Sequence, residues 1–289
     1  MVNHLPLQKV RRSVRLLNKQ ITRHSHQHPA ASSEFRKSAS KPSQKPQKSS
    51  FDSIIQQVSS SKQDYFSQLL MNLRFVKSLK ATDNTQISEK SVHLKRKNLS
   101  KNTKTLIFDL DETLVHCCED PKNGEHKLQI CLPTGEKIEI GINIRPHAIE
   151  CLTLLSKKFE IAVFTASHKC YADVVLDLLD PMHEVIDHRL YRDSCVTVDG
   201  VFIKDLRVIT NRDLKDMVLI DNSAYCFAYQ LENGIPIVSW YDDKHDIELF
   251  ELSQYLNTLD RVKDVREANR ETFHLTQICQ SAETILAKL

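Results

Sequence analysis

The chain has 289 residues, 40% of them hydrophobic, enough for one large domain or two small ones with a packed core. Its formal charge of +3 conceals an asymmetry, since residues 1–104 hold 21 Lys and Arg against 5 Asp and Glu, whereas residues 105–289 hold 19 against 32. Eight cysteines with no Cys-x-x-Cys pair, no apolar run of bilayer length and no apolar leader in Met1–Val10 argue against a disulfide-built secreted domain, a structural zinc module and a membrane-spanning protein, and lead us to expect a reduced nucleus or cytoplasm.

In chain order, residues 1–60 are rich in Ser, Lys, Gln and Pro, as in Lys41-Pro42-Ser43-Gln44-Lys45-Pro46. Such a segment buries too little apolar surface to offset its ordering entropy and is expected to be disordered. The run His24-Ser25-His26-Gln27-His28 reads as part of this solvated tail. From Ser61 the pattern changes: Ser61-Lys62-Gln63-Asp64 resembles a capping box, and Tyr65, Phe66, Leu69, Leu70, Leu73, Val76 and Leu79 recur at helical spacing. One amphipathic helix near 61–80 follows, packed on the domain or docking a partner. A polar linker is expected over Ala81–Lys104, with Lys95-Arg96-Lys97 as part of a nuclear localisation patch. The whole of residues 1–100 is thus read as a disordered basic arm carrying one helix, suited to contact nucleic acid or an acidic protein.

Beyond Thr105, short β-branched runs alternate with helical ones. Strands are expected at Thr105–Phe108, Ile161–Phe164, Met217–Ile220 and Ile235–Val238, and helices at Pro146–Lys157, Tyr171–Leu179 and Lys244–Leu259. Alternation of this kind means an α/β fold, a Rossmann-like three-layer sandwich around a mostly parallel sheet. Leu128–Leu132 and Lys137–Ile142 form a β-hairpin across Pro133-Thr134-Gly135-Glu136, a small flap inserted after the first strand. Residues 101–265 make up this domain, and 266–289 form a C-terminal helical tail.

In open α/β sheets, ligands bind at the carboxyl ends of the strands. Asp109-Leu110-Asp111-Glu112-Thr113 follows the first strand, Thr165-Ala166-Ser167 the second and Asp221-Asn222-Ser223 the third, with Lys204 as a fourth candidate. Two carboxylates as close as Asp109 and Asp111 repel unless a cation or proton intervenes. Mg2+ suits them, because it takes carboxylate and carbonyl oxygens and keeps waters for a phosphate; Asn222 or Asp221 completes the shell. A carboxylate attacks phosphorus to give an acyl phosphate that water cleaves. Lys204 and the Thr165 hydroxyl supply the cation and donor that the transferring phosphoryl group needs. Asp111 is placed to move the proton.

Asp109-Leu110-Asp111-Glu112-Thr113-Leu114-Val115-His116 resembles the Asp-x-Asp-x-Thr signature of haloacid-dehalogenase-type (HAD-like) phosphatases. With Arg145-Pro146-His147, Phe164-Thr165-Ala166-Ser167, Tyr171-Ala172-Asp173, Arg192-Asp193-Ser194-Cys195, Ile203-Lys204-Asp205-Leu206 and Ile220-Asp221-Asn222-Ser223, the chain resembles the small phosphatases of the RNA polymerase II C-terminal domain, the FCP-homology group. The likeness covers about residues 104–265. It implies that Asp109 is nucleophile and metal ligand, and that Asp111 is general acid and base and gives the metal its backbone carbonyl. It further implies that Thr165 and Lys204 bind phosphate, that Asn222 is a direct metal ligand, and that Asp221 supports the metal waters and Lys204. Thr113, Ala166, Tyr171 and Arg192 join the substrate side of the site. The implied activity is Mg2+-dependent hydrolysis of phosphoserine or phosphothreonine in an extended protein segment, without a large cap, on the polymerase domain or another phosphoprotein. Two positions depart from the family pattern. Ala224 replaces the proline after Asp-Asn-Ser, and Glu119 stands where a large apolar residue often helps to form a proline-binding pocket. The competing readings are a phosphoprotein-binding scaffold, which would be expected to have lost Asp109 or Lys204, and a nucleic-acid-tethered protein using the basic arm.

Overall fold

This computed structural model describes residues 60–96 and 104–287. The basic arm up to residue 59, its His-rich run and Lys97 lie outside the described residues, as do the side chains of the expected capping box. The chain forms two compact units, Met1–Ser67 and Gln68–Leu289. In the first, the described residues are the opening turns of a helix, α1 (Ser60–Ser78).

The second unit is built on a five-stranded sheet. Its strands are β1 (Thr105–Phe108), β5 (Glu160–Phe164), β6 (His188–Leu190), β9 (Met217–Asp221) and β10 (Gly234–Pro236). The order is β10-β9-β1-β5-β6 and every pairing is parallel. The expected α/β class with a parallel central sheet is therefore what forms. Leu106, Phe108, Ile161, Val163, Val218 and Ile220 enter one core together with α3 (Ala148–Ser156), α4 (Lys169–Leu179) and α5 (Glu248–Leu256). The alternate residues Ile107, Ala162 and Leu219 point to the other face and are just as buried. Burial on both faces explains why these strands read as unbroken apolar runs. Each fully buried Leu, Ile or Phe contributes about 1.5–3 kcal/mol, so the sheet is a rigid base for whatever its loops carry.

The flap is larger than a hairpin. Leu128–Leu132 and Lys137–Ile142 appear as β3 (His126–Cys131) and β4 (Lys137–Ile144), but β2 (Val115–Cys118) joins them in the order β2-β4-β3. The sequence of β2, Val-His-Cys-Cys, shows no alternation that would mark a strand; its pairing partner on β4 decides the matter. A turn at Pro121–Asn123 presses onto β4 at Gly141, where a Cβ would lie 2.5 Å from the Pro121 carbonyl oxygen.

Three further expectations are corrected. The stretch from Ala81, read as a polar linker, packs on the body as far as it is described. It contains α2 (Asn84–Glu89), a parallel bridge from Val92 to Ile209 and the buried Leu94. Its one good apolar anchor is too little for a periodic signal. The helix expected at Lys244–Leu259 begins only at Glu248, because Asp246 is held by Arg145, and a 3-10 turn replaces its end at Asn257–Arg261. The helix expected from Pro146 starts at Ala148, behind His147 in a left-handed conformation with φ of 64°. At the C-terminus, α6 (Val265–Phe273) and α7 (Leu275–Leu286) pack on the 3-10 stretch Ala224–Asn233, and the Cys279 thiol donates to the Leu73 carbonyl at 3.3 Å. Among the described residues no helix is long and apolar enough to cross a membrane.

Candidate active site

The chain leaves β1 toward β5 on one side and later returns to β9 on the other. The crevice at their carboxyl ends is the switch point where open α/β sheets bind ligands. Asp109 follows β1 directly, and its amide donates to Ile220 O at 2.8 Å. The next residues turn tightly, Leu114 N bonding Leu110 O and Glu112 N bonding Val115 O. This turn forces Glu112 to a left-handed φ of 55°, a conformation that costs a non-glycine residue about 1–2 kcal/mol. Trp240 N holds the Glu112 carbonyl at 2.9 Å. Beneath the turn, the fully buried Arg145 pairs with both Asp246 oxygens at 2.8 and 2.9 Å and donates to Thr113 O and Val238 O.

The loops bring most of the expected residues together. Lys204, 1% exposed, makes short hydrogen bonds to Asp109 Oδ1 and to Asp221 Oδ2, the latter at 2.6 Å. The Thr113 hydroxyl donates to Asp109 Oδ2 at 3.1 Å and lies 3.5 Å from Asn222 Oδ1. Asn222 in turn donates through Nδ2 to Ser239 Oγ at 2.9 Å. Asp111 accepts from Tyr171 OH at 2.6 Å on one oxygen and from Ser167 Oγ at 2.7 Å on the other. Thr165 is buried, and its oxygen accepts from Ser167 N at 2.9 Å.

Two residues expected on the substrate side are engaged within the protein. Tyr171 gives its hydroxyl to Asp111. Arg192 gives Nε to Ala166 O at 2.5 Å and Nη1 to His168, and lies 5.0 Å from the Phe202 ring centroid. Ser167, Ser239, Arg145 and Asp246 are the site's supports that sequence reasoning did not single out. Ser167 and Arg145 stood inside quoted motifs; Ser239 and Asp246 carried no signal, because neither stands in a motif that marks its partner.

Burial and charge oppose one another here. Burial disfavours the Lys204 ammonium, but two adjacent carboxylates outweigh it and hold its pKa well above the ordinary lysine value. Asp221 is pushed up to about 6 by burial, with Lys204 opposing that rise. Burial also raises Asp111, against the hydrogen bonds from Tyr171 and Ser167. The site thus holds one permanent cation and more carboxylates than it can balance, two of which, Asp111 and Asp221, burial raises above the ordinary carboxylate range. Among the described residues no three His, Cys, Asp or Glu side chains form a metal cage. Asp109 Oδ2 and Asn222 Oδ1 instead face one Thr113 hydroxyl, an oxygen-only set poor in side chains. It fits Mg2+, which binds through one or two carboxylates and keeps several waters.

Residues 104–266 match the NLI interacting factor-like phosphatase family. This chain belongs to that family. Among its relatives, the CTD small phosphatase-like protein 2 of Dictyostelium discoideum is 44% identical over 178 residues, 62% of this chain and 31% of the relative. The CTD small phosphatase-like protein 3 of Caenorhabditis elegans is 41% identical over 172 residues, 59% of this chain and 60% of the relative. The human Carboxy-terminal domain RNA polymerase II polypeptide A small phosphatase 1 is 37% identical over 166 residues, 57% of this chain and 63% of that protein. The chain thus spans about a third to three fifths of the length of these relatives. The NLI interacting factor-like phosphatase match ends near the start of α6 and begins after the segment 68–96, so both of those flanking parts lie outside it.

Proposed function

We propose that this chain is a Mg2+-dependent phosphoprotein phosphatase that hydrolyses phosphoserine or phosphothreonine through an aspartyl-phosphate on Asp109. The observation that carries the reading is the constellation at the β1–β9 switch point. Asp109 faces Lys204 and Thr113, and Asp111 two residues on is held by two hydroxyls. In the first step an Asp109 carboxylate oxygen attacks phosphorus. The new P–O bond forms to Asp109 as the bond to the seryl oxygen breaks. Asp111, whose pKa burial raises above the ordinary carboxylate value, gives its proton to that leaving oxygen. In the second step Asp111 takes a proton from the water that attacks phosphorus, and Asp109 and inorganic phosphate are released. Lys204 and the Thr165 hydroxyl hold the phosphoryl oxygens throughout, with Thr113 and the Ala166 main chain beside them. Asp109, Asn222 and the Asp111 carbonyl would hold Mg2+, with Asp221 behind them. The ion supplies charge neutralisation at the transferring phosphoryl group.

The substrate is an extended phosphoprotein segment. The flap β2-β4-β3 follows the Asp109–Thr113 turn directly in the chain, and the exposed Glu119 stands at the end of β2. Turnover of an extended phosphoserine peptide, with Mg2+ and with a chelator, tests the reading. Activity should need the ion and should fall by roughly a thousandfold or more in Asp109→Asn. Equal rates with and without the ion would contradict it.

A further inference from the structure

Residues Lys80–Leu94 precede the part of the chain that matches the family, yet they form a strap across one wall of the site. The strap is fastened at both ends. Tyr229 donates its hydroxyl to Lys80 O at 2.5 Å. At the other end Val92 N donates to Val208 O at 2.7 Å, Thr210 N donates to Val92 O at 3.1 Å, and Leu94 is buried. Between these anchors runs α2, which is capped by the Asp83 carboxylate accepting from Thr85 N at 2.9 Å.

From the middle of the strap two side chains reach to the wall. The wall is the 3-10 turn Arg192–Ser194 followed by the two-stranded hairpin β7 (Val196–Val198) and β8 (Val201–Ile203). Gln86 accepts from Thr197 N at 3.0 Å and donates to Thr197 O at 3.2 Å, so its amide pairs with the open edge of β7 as a neighbouring strand would. Lys90 Nζ donates to Asp193 O at 2.8 Å. All three bonds end on main-chain atoms, so they set the path of the backbone whatever side chains the wall presents. One end of that path carries Arg192, which braces Ala166 O, and the other end delivers Lys204 directly after β8.

We infer that Gln86 and Lys90 are positioning residues for this wall, so that the segment ahead of the family domain sets how tightly an extended phosphopeptide is held. They act through Asp193 and Thr197 and touch neither the phosphoryl group nor Asp109. On this inference an extended polypeptide runs along the wall, whereas a small aryl phosphate needs only Asp109 and its immediate partners. The kinetic consequence rests on the phosphatase reading above, whereas the bracing itself does not.

The test uses the full chain carrying Gln86→Ala and Lys90→Ala together, both half-buried positions whose truncation opens no core cavity. KM for an extended phosphoserine peptide should rise by roughly tenfold, with kcat on phenyl phosphate unchanged. The Thr197 amide should lose protection from hydrogen exchange, and Lys90→Arg alone, which keeps a donor to Asp193 O, should keep the wild-type KM. An unchanged peptide KM, a parallel fall on both substrates, or unchanged Thr197 exchange would overturn the inference. A wild-type chain that hydrolyses neither substrate would contradict the phosphatase reading instead. In that case Thr197 exchange still decides the bracing, lost protection supporting it and unchanged protection refuting it.

Discussion

Asp111 has both carboxylate oxygens occupied by hydroxyl donors, Tyr171 and Ser167. That arrangement gives Tyr171 a different part from the substrate-side one its motif implied. If Tyr171 orients the proton donor, its loss matters most where the leaving oxygen most needs a proton. Tyr171→Phe should therefore slow hydrolysis of a phosphoserine peptide by roughly tenfold to a hundredfold and hydrolysis of an aryl phosphate with an acidic leaving group far less. Equal slowing of both would show that the hydroxyl does something else. Glu119 bears on which peptide is taken. A carboxylate at the flap would have to be desolvated to grip a proline ring, which is costly. Wild type should thus favour basic phosphopeptides over a polymerase-heptad peptide phosphorylated before a proline. Glu119→Phe should raise kcat/KM for the heptad peptide, and a strong wild-type preference for that peptide, unaltered by the substitution, would refute the idea. Asp109, Thr113, Lys204 and Asn222 were legible because each sits at or near a strand end in a short motif. The supports Ser239 and Asp246 were not, because a serine or aspartate in a loop looks the same whether or not it meets a partner, 17 residues away for Ser239 and 101 for Asp246.

At the level of elements, the turn after β1 that carries Asp109 and Asp111 is held from beneath by Arg145, which links the end of β4 to Asp246, Val238 and Thr113. The pair is buried, so removing one partner strands a charge. Arg145→Ala should cost about 3–5 kcal/mol of folding stability, read as a drop in the denaturant midpoint at constant slope. A loss within experimental error would show that the turn holds without it. Four of the five sheet strands and the helices α3, α4 and α5 were legible to within a few residues, since buried parallel strands and amphipathic helices leave strong periodic marks; the edge strand β6, three residues reading His-Arg-Leu, was not expected. The strand β2 and the strap were not. Val115–Cys118 is too short for a period, and the strap owes its order to side-chain and main-chain bonds made to distant residues, with Leu94 as its buried apolar anchor. Polar composition predicts a linker wherever such bonds are invisible.

In the molecule as a whole, a second buried charge cluster lies at the amino ends of β1 and β5, where Thr105 pairs with Glu160. Away from the active site, Glu160 accepts from Thr105, Arg212 and His188 at 2.7–3.0 Å. Burial raises its pKa, but these hydrogen bonds outweigh burial and leave it well below the usual carboxylate range. A depressed carboxylate contributes stability that is present above its unfolded pKa and lost as the pH falls toward its folded one. The stability gap between wild type and Glu160→Gln should therefore be full at neutral pH and shrink steadily below about pH 4. A gap that widened on acidification would reverse the assignment. The central claim, that Asp109 carries the phosphoryl group, is tested most directly by stopping turnover of a phosphoserine peptide in acid and weighing the digested protein. A phosphoryl adduct on the peptide containing Asp109, missing in Asp109→Asn, is the predicted result. Steady turnover by Asp109→Asn, or an adduct on another residue, would contradict it.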